Sequence, residues 1–375
     1  MANIDTVPCD GAAFALLFFY LDIHNPHTPL IPGLKAIDWL GTLAIVGGTV
    51  MFLMGLEFGG IAYSWSSAIV ICLIVFGILL IGIFFVLEKY IPKYPLIPLH
   101  IFASGNNIAC LGVATFHGMT FIAGSYFLPL YFQAVLGATP LLSGIYTFPY
   151  VISMSLFSAA VGIWIRKTGR YREPIWLGTF LMTVGFGLYI NFSATASWPR
   201  IIIFQIIAGL GVGPNFQAPL IALQSKLAPR DIAAATATFG FVRNLGTSIS
   251  VVIGGVIFQN EMRKRAAVLS GLPPNTAAEL GGSAGASTAT IQRLSDVQKG
   301  PVLEAYAQSL SSMWIFFTFT ALGALVSSFF ITKSVLSKTH EDVKTGIEGQ
   351  EEGRKERAEA NRRSKQLPQD GEEKV

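Results

Sequence analysis

Apolar residues run in blocks of about twenty positions along this chain, and polar residues cluster between the blocks. The blocks cover roughly 11–23, 38–56, 66–87, 106–134, 140–165, 174–192, 199–225, 233–258 and 312–335. A helix on the surface of a soluble protein carries an apolar stripe with polar residues opposite it. These blocks are apolar all round. A helix needs about 20 residues to cross about 30 Å of hydrocarbon. No water bonds the backbone in that layer, so only helices or closed barrels cross it. A barrel strand alternates over about ten residues, and these blocks do not alternate. The pattern therefore predicts an all-α polytopic membrane protein with about nine transmembrane helices within residues 1–335. The first block is short. The residues before it include Asp5 and Asp10 and no Lys or Arg, which does not fit a signal peptide. It reads as a helix whose front is missing.

Charge sharpens this picture. Of the 48 Lys, Arg, Asp and Glu residues, 20 follow Phe330, ten of each sign, so the first 332 residues hold only 28. A water-facing domain of that size needs more surface charge. If the connections alternate between two sides, one side receives Lys35, Lys89, Lys93, Arg166, Lys167, Arg170, Arg172, Lys226 and Arg230. The short connections of the other side receive only Arg200. Cytoplasmic loops carry the excess of Lys and Arg, so the first side is expected to be cytoplasmic. The charged tail 336–375 falls on that side and is expected to be disordered. The sequon Asn191-Phe192-Ser193 falls on the other side, where Asn191 is a glycosylation candidate. Arg263, Lys264 and Arg265 run against the rule. They open an outer loop at 260–311, which is rich in Gly, Ser, Ala and Thr from Gly281 to Thr290 and has amphipathic helical character around Ile291–Leu310. The net charge of +4 is explained by topology and calls for no nucleic acid. Cys9, Cys72 and Cys110 form no metal or disulfide spacing and read as packed thiols.

Polar groups inside spans are costly, so they mark where chemistry would reside. Arg243 lies about twelve residues beyond Asp231, a candidate N-cap, which puts it near the bilayer centre at about 1.5 Å per residue. It should face the bundle interior, a cavity or a carboxylate, in either a structural or a coupling role. Gly240, Gly246, Gly254 and Gly255 form a stripe of small residues suited to close helix packing. Gly209, Gly211, Gly213, Pro214 and Pro219 weaken the seventh segment and free carbonyls. Broken helices of this kind line transporter sites. Asn215, Gln217 and Gln224 then offer amides to a cavity or to neighbouring helices. Tyr126, Tyr131 and Gln133 close the fourth segment, and His117 lies earlier in it as a proton relay or a packed neutral ring. Asp38 opens the second segment and Glu57 closes it, both near an interface. His24 and His27 lack supporting ligands, so no metal site is expected. No catalytic constellation appears, which argues against an enzyme.

Several of these stretches together resemble the major facilitator superfamily, and within it the fungal fourteen-helix drug:proton antiporter branch of multidrug and toxin exporters. Ile37-Asp38-Trp39-Leu40-Gly41 is similar to that branch's LDxxG element at the start of its seventh helix. Tyr131-Phe132-Gln133 through Gly137, Pro140, Ser143 and Gly144, followed by Pro149, is similar to its YFQ-x-x-x-G-x-S-P-x-x-S-G segment, with Thr139 in place of Ser. Gly162, Arg166, Gly169 and Arg170 resemble its basic cytoplasmic loop. Gly209 to Gln224, and Phe241-Val242-Arg243-Asn244-Leu245-Gly246, resemble its penultimate helices.

The resemblance covers roughly residues 8–335 and implies a partial facilitator bundle lacking about five N-terminal helices, where the family rocks two bundles around a midplane site. It implies efflux of an amphipathic small molecule driven by a proton gradient, with no other cofactor, in the plasma membrane or a vacuolar membrane. It places Tyr131, Gln133, Asn215, Gln217 and Gln224 near substrate and Arg243, Asp38, Glu57 and His117 in coupling or gating. Association with a full-length homologue is the alternative role for a shortened chain.

Overall fold

The computed structural model describes residues 7–20, 31, 34–35, 37–60, 62–90, 96–195, 197–228, 231–265, 276, 280, 290–291 and 294–333. The tail 336–375 and most of the Gly281–Thr290 stretch lie outside the described residues. The chain divides into two units, Met1–Ile37 with Glu341–Val375, and Asp38–His340.

In the first unit Val7–Tyr20 forms α1, a 14-residue helix. It falls short of the ~20 residues a span needs.

The second unit is built from helices. In chain order these are α2 (Trp39–Phe58), α3 (Ala68–Tyr90), a 3-10 turn (Leu99–Ala103), α4 (Gly105–Ala134), α5 (Pro140–Tyr146) and α6 (Phe148–Thr168). There follow α7 (Arg172–Tyr189), α8 (Trp198–Val212), a second 3-10 turn (Gly213–Phe216), α9 (Ala218–Gln224), α10 (Ile232–Lys264) and α11 (Asp296–Phe329). Among the described residues, seven helical segments are long and apolar enough to cross a membrane, with α8, its 3-10 turn and α9 counted as one. Of the nine expected spans, α1 and α7 fall short; α7 spends its first turn on Arg172 and Glu173. Nevertheless α7 packs along both α8 and α11 as a full member of the bundle.

Three boundaries differ from the sequence pattern. The expected span 140–165 divides at Thr147 into α5 and α6. Pro149 has no N–H to offer the carbonyl of Ile145, so one helix ends and the next begins. The span expected at 312–335 is the second half of a helix that starts at Asp296. The expected loop 260–311 is therefore helical at both ends, because α10 runs on to Lys264. The basic run there has a local partner. Glu261 takes Lys264 Nζ at 2.6 Å and Arg265 Nη1 at 2.9 Å.

Small residues set the packing. Two short-range contacts fix the α2–α3 hairpin: a Cβ on Gly48 would lie 3.0 Å from the Gly77 carbonyl, and one on Gly77 would lie 2.6 Å from Phe52 N. Helix α4 is central, packing on α10 and α11. The hydroxyls of Thr120 and Thr320 meet at 2.9 Å between α4 and α11, and Ser250 donates to the Met119 carbonyl at 2.7 Å between α10 and α4. Such bonds hold helices together where lipid supplies no hydrophobic drive. Of the four stripe glycines, Gly246 abuts the Thr115 carbonyl and Gly254 the Phe127 ring, while Gly240 and Gly255 meet nothing within 4 Å. The stripe is thus half packing surface. Aromatic cores close the two ends of the bundle, one around Tyr131, Tyr189 and Trp314, the other around Tyr171, Ile175 and Phe239. Outward, Ile71, Val75, Phe76 and Leu79 of α3 are exposed, as a lipid-facing helix requires. Cys72 shares that exposed surface, contrary to the expectation of a packed thiol; Cys110 is buried. The side chain of Cys9 lies outside the described residues.

Candidate functional site

The most chemically loaded part of the second unit is where α8 breaks. Pro214 and the flanking glycine convert residues Gly213–Phe216 to a tight 3-10 turn in the middle of a membrane segment. Freed carbonyls there need donors. His117 of α4 supplies one: its Nε2 lies 3.1 Å from the Val212 carbonyl. A carbonyl only accepts, so Nε2 carries the hydrogen. Asn215 supplies another, donating from Nδ2 to the Gly211 carbonyl at 2.9 Å. Gly178 of α7 makes room for that amide, since a Cβ there would sit 2.7 Å from Asn215 Nδ2. Two polar atoms remain unpaired and buried at the break, His117 Nδ1 and Asn215 Oδ1.

Phe216 ends the turn and gathers the aromatic groups. Its ring meets His117 edge-on at 4.8 Å and Phe121 at 5.0 Å. Above it lies the Arg243 guanidinium, 5.6 Å from the Phe216 centroid and 5.7 Å from that of Phe239. No carboxylate pairs with Arg243 among the described residues. A cation over ring faces gains about 0.5–2 kcal/mol, more as it is desolvated. Helix α10 comes this close to α4 because Gly118 faces Arg243: a Cβ on Gly118 would lie 2.6 Å from the Arg243 carbonyl. The half-buried Arg243 and the exposed Gln217 keep polar groups available beside this seam.

Other expected residues are occupied elsewhere. Tyr131 is fully buried, its hydroxyl donating to the Ser193 carbonyl at 2.8 Å and its ring stacked on Phe192 at 5.0 Å. Gln133 donates to Ser143 at 2.9 Å and so ties α4 to α5. Tyr131 and Gln133 thus serve the end of the bundle and lie apart from the break. Gln224 bonds Thr236 at 2.9 Å, joining α9 to α10. Glu57 is exposed. Gly169 ends α6 in the left-handed conformation at φ 70°, its N–H returning to Ile165, and it leaves Arg166 and Arg170 exposed. Gly162, about two turns before that end, has nothing within 4 Å of its missing Cβ. Asn191 is exposed just beyond α7. Asp231 starts α10 without capping it, because its carboxylate takes His100 Nε2 at 3.0 Å.

Asp38 does cap. Its Oδ1 accepts from Gly41 N–H at 2.9 Å, and a Cβ on Gly41 would lie 2.1 Å from Asp38 Oδ2. The spacing Asp38-x-x-Gly41 therefore has a steric cause. The side chain folds back over the first turn, and only glycine leaves it room. The sequence reading missed two residues. Tyr171, fully buried, donates to the Thr332 carbonyl at 3.1 Å and ties the start of α7 to the residues after α11. Glu88 is buried at the end of α3 with 6% exposure. A carboxylate in the last turn of an apolar span was the available signal for it.

Residues 34–260 match the family model described as Major Facilitator Superfamily. This chain belongs to that superfamily. With the membership comes an integral membrane protein, in accord with seven span-length apolar helices. Fungal relatives bear the superfamily out. "Efflux pump dotC" of Dothistroma septosporum (strain NZE10 / CBS 128990) is 47% identical over 344 residues, covering 92% of this chain and 59% of that protein. "MFS-type transporter ppz2" of Metarhizium majus (strain ARSEF 297) is 45% identical over 353 residues, covering 94% and 61%. "Uncharacterized MFS-type transporter C1399.02" of Schizosaccharomyces pombe (strain 972 / ATCC 24843) is 29% identical over 344 residues, covering 92% and 57%. The chain spans about three fifths of the length of these curated relatives. Asp38, Glu88, His117, Asn215, Phe216 and Arg243 all lie inside the stretch that matches the superfamily model.

Proposed function

We propose that this chain is part of a proton-coupled exporter of amphipathic small molecules, of the fourteen-helix type, in the plasma membrane with its C-terminus in the cytoplasm. The observation that carries the reading is Arg243, a cation within a membrane segment, held over Phe216 and Phe239 with no carboxylate among the described residues. A charge at that depth is retained where it acts on a substrate or a moving proton. It stands beside a broken helix, the element from which transporters of this architecture build their sites. The aromatic wall of Phe121, Phe216 and Phe239 suits an apolar body. Gln217 and the unpaired Asn215 Oδ1 suit polar substituents on it. The relatives named as an efflux pump and as transporters favour export over other membrane roles. The excess of Lys and Arg on one set of connections supports the orientation.

Arg243→Ala tests the reading. In the full-length exporter of which this chain is part, it should abolish efflux of a fluorescent amphipathic dye from vesicles, at an unchanged protein level. Equal loss of protein and of efflux would make Arg243 a folding residue and leave the reading without its support.

A further inference from the structure

The α2–α3 hairpin carries a feature with no place in the seam described above. At one end of the hairpin Asp38 and Glu88 face each other, 50 positions apart in the chain. The register that brings them together is fixed lower down, by the backbone contact between Gly48 and Gly77. Each carboxyl has one oxygen occupied. Asp38 Oδ1 accepts the Gly41 N–H, and Glu88 Oε1 accepts the Ile97 N–H at 2.5 Å. The other oxygen of each, Asp38 Oδ2 and Glu88 Oε2, is buried and has no donor among the described residues. The hairpin register thus sets two buried, unsatisfied carboxyl oxygens at the same end of α2 and α3. Beneath them is an apolar floor of Ala44, Phe84 and Ile97, with Phe102 and Phe241 packed against it.

Two ionised carboxylates in contact repel, and neither can donate a hydrogen bond. Among the described residues the neighbouring cations are engaged away from the pair or exposed. Lys35 is exposed, Lys89 Nζ lies 5.2 Å from the Tyr90 centroid, His100 is bonded to Asp231, and Arg243 of α10 lies over Phe216 and Phe239. A single proton resolves the arrangement. It makes one oxygen a donor, satisfies both buried atoms at once, and leaves one negative charge delocalised over the capped end of α2.

We propose that Asp38 and Glu88 form a proton-binding site, with one proton shared between Asp38 Oδ2 and Glu88 Oε2. The site deepens the proton-coupled reading and rests on it only for its part in transport. The proton locks the start of α2 to the end of α3 and, through Ile97, to the turn that leads into α4. Release of the proton leaves two buried charges in contact and loosens that end of the hairpin.

Infrared difference spectroscopy of the full chain in liposomes, titrated with acid and base, reads the site directly. A protonated-carboxyl C=O stretch, shifted by deuterium exchange, should be present at neutral pH. It should vanish in Glu88→Gln and in Asp38→Asn. Both substitutions preserve folding, since an amide N–H replaces the shared proton while its oxygen keeps the existing bond. The melting temperature of the wild type should fall as pH rises through the titration, whereas that of Glu88→Gln should stay flat. A wild-type spectrum without the band, or a band that survives both substitutions, overturns the proposal. The same holds if sodium or potassium, but not acid, changes the carboxylate bands. The transport reading fails separately: a band that behaves as expected, alongside efflux indifferent to a proton gradient, leaves the site standing and removes the coupling.

Discussion

The close approach of α7 and α8 gives a sharp structural prediction. Gly211 of α8 lies so near α7 that a Cβ on it would sit 2.1 Å from Met182 N and 2.4 Å from Met182 Cα. One helical step along, a Cβ on Gly185 would lie 2.4 Å from Ala208 Cα. The obstructing atoms are backbone and cannot rotate away. Carbon contacts become ordinary at 3.4 Å, so Gly211→Ala must part α7 and α8 by about 1.3 Å at this point. Overpacking of this kind costs about 1–3 kcal/mol, and the gap opened along the rest of the seam adds lost dispersion. Gly255→Ala is the control. It places the same methyl on α10 where nothing lies within 4 Å, and it gains about 1 kcal/mol of helix propensity. Thermal unfolding in one detergent, followed by aggregation or intrinsic fluorescence, compares the two. Gly211→Ala should unfold well below the wild type, and Gly255→Ala at or above it. If Gly211→Ala matches Gly255→Ala, the close approach of α7 and α8 is wrong.

Three further outcomes follow from particular contacts. His117→Leu leaves the Val212 carbonyl at the helix break without its donor and should cost about 1–3 kcal/mol, seen as a lower melting temperature; an unchanged value would remove His117 from the break. Tyr131→Phe deletes only the bond to the Ser193 carbonyl and should lower stability by about 1 kcal/mol while leaving dye efflux unchanged, since the residue serves packing; a change in substrate preference at constant stability would return it to the binding site. Asn191→Gln should remove a glycosidase-sensitive shift in gel mobility, and a protein without that shift would count against an outward position for this exposed residue.

The all-helical membrane fold was legible because the blocks are long and their apolar character is continuous, which the alternating strands of a barrel do not show. The break at Gly213–Phe216 was legible as well, since glycine and proline carry their backbone consequences wherever they occur. What the two ends of long separations do to each other was not legible. The bonds that Tyr131 makes to the Ser193 carbonyl and Gln133 to Ser143 could not be read from the sequence. Glu88 meets Asp38 only because the Gly48–Gly77 contact sets the hairpin register. The glycine stripe on α10 misled for a simpler reason. Gly246 and Gly254 meet Thr115 and Phe127, whereas Gly240 and Gly255 meet nothing within 4 Å, and spacing along the helix alone does not tell these apart. The basic run after α10 looked like a topological anomaly, and Glu261 accounts for two of its three charges locally.

The most direct test of the account is dye efflux from liposomes containing the full-length exporter of which this chain is proposed to be part, measured with and without an imposed proton gradient, for the wild type and Arg243→Ala. The account predicts efflux driven by the gradient in the wild type, collapsed by a protonophore, and absent in Arg243→Ala protein that reconstitutes equally well. Efflux indifferent to the gradient, no efflux at all, or full efflux from Arg243→Ala would contradict it.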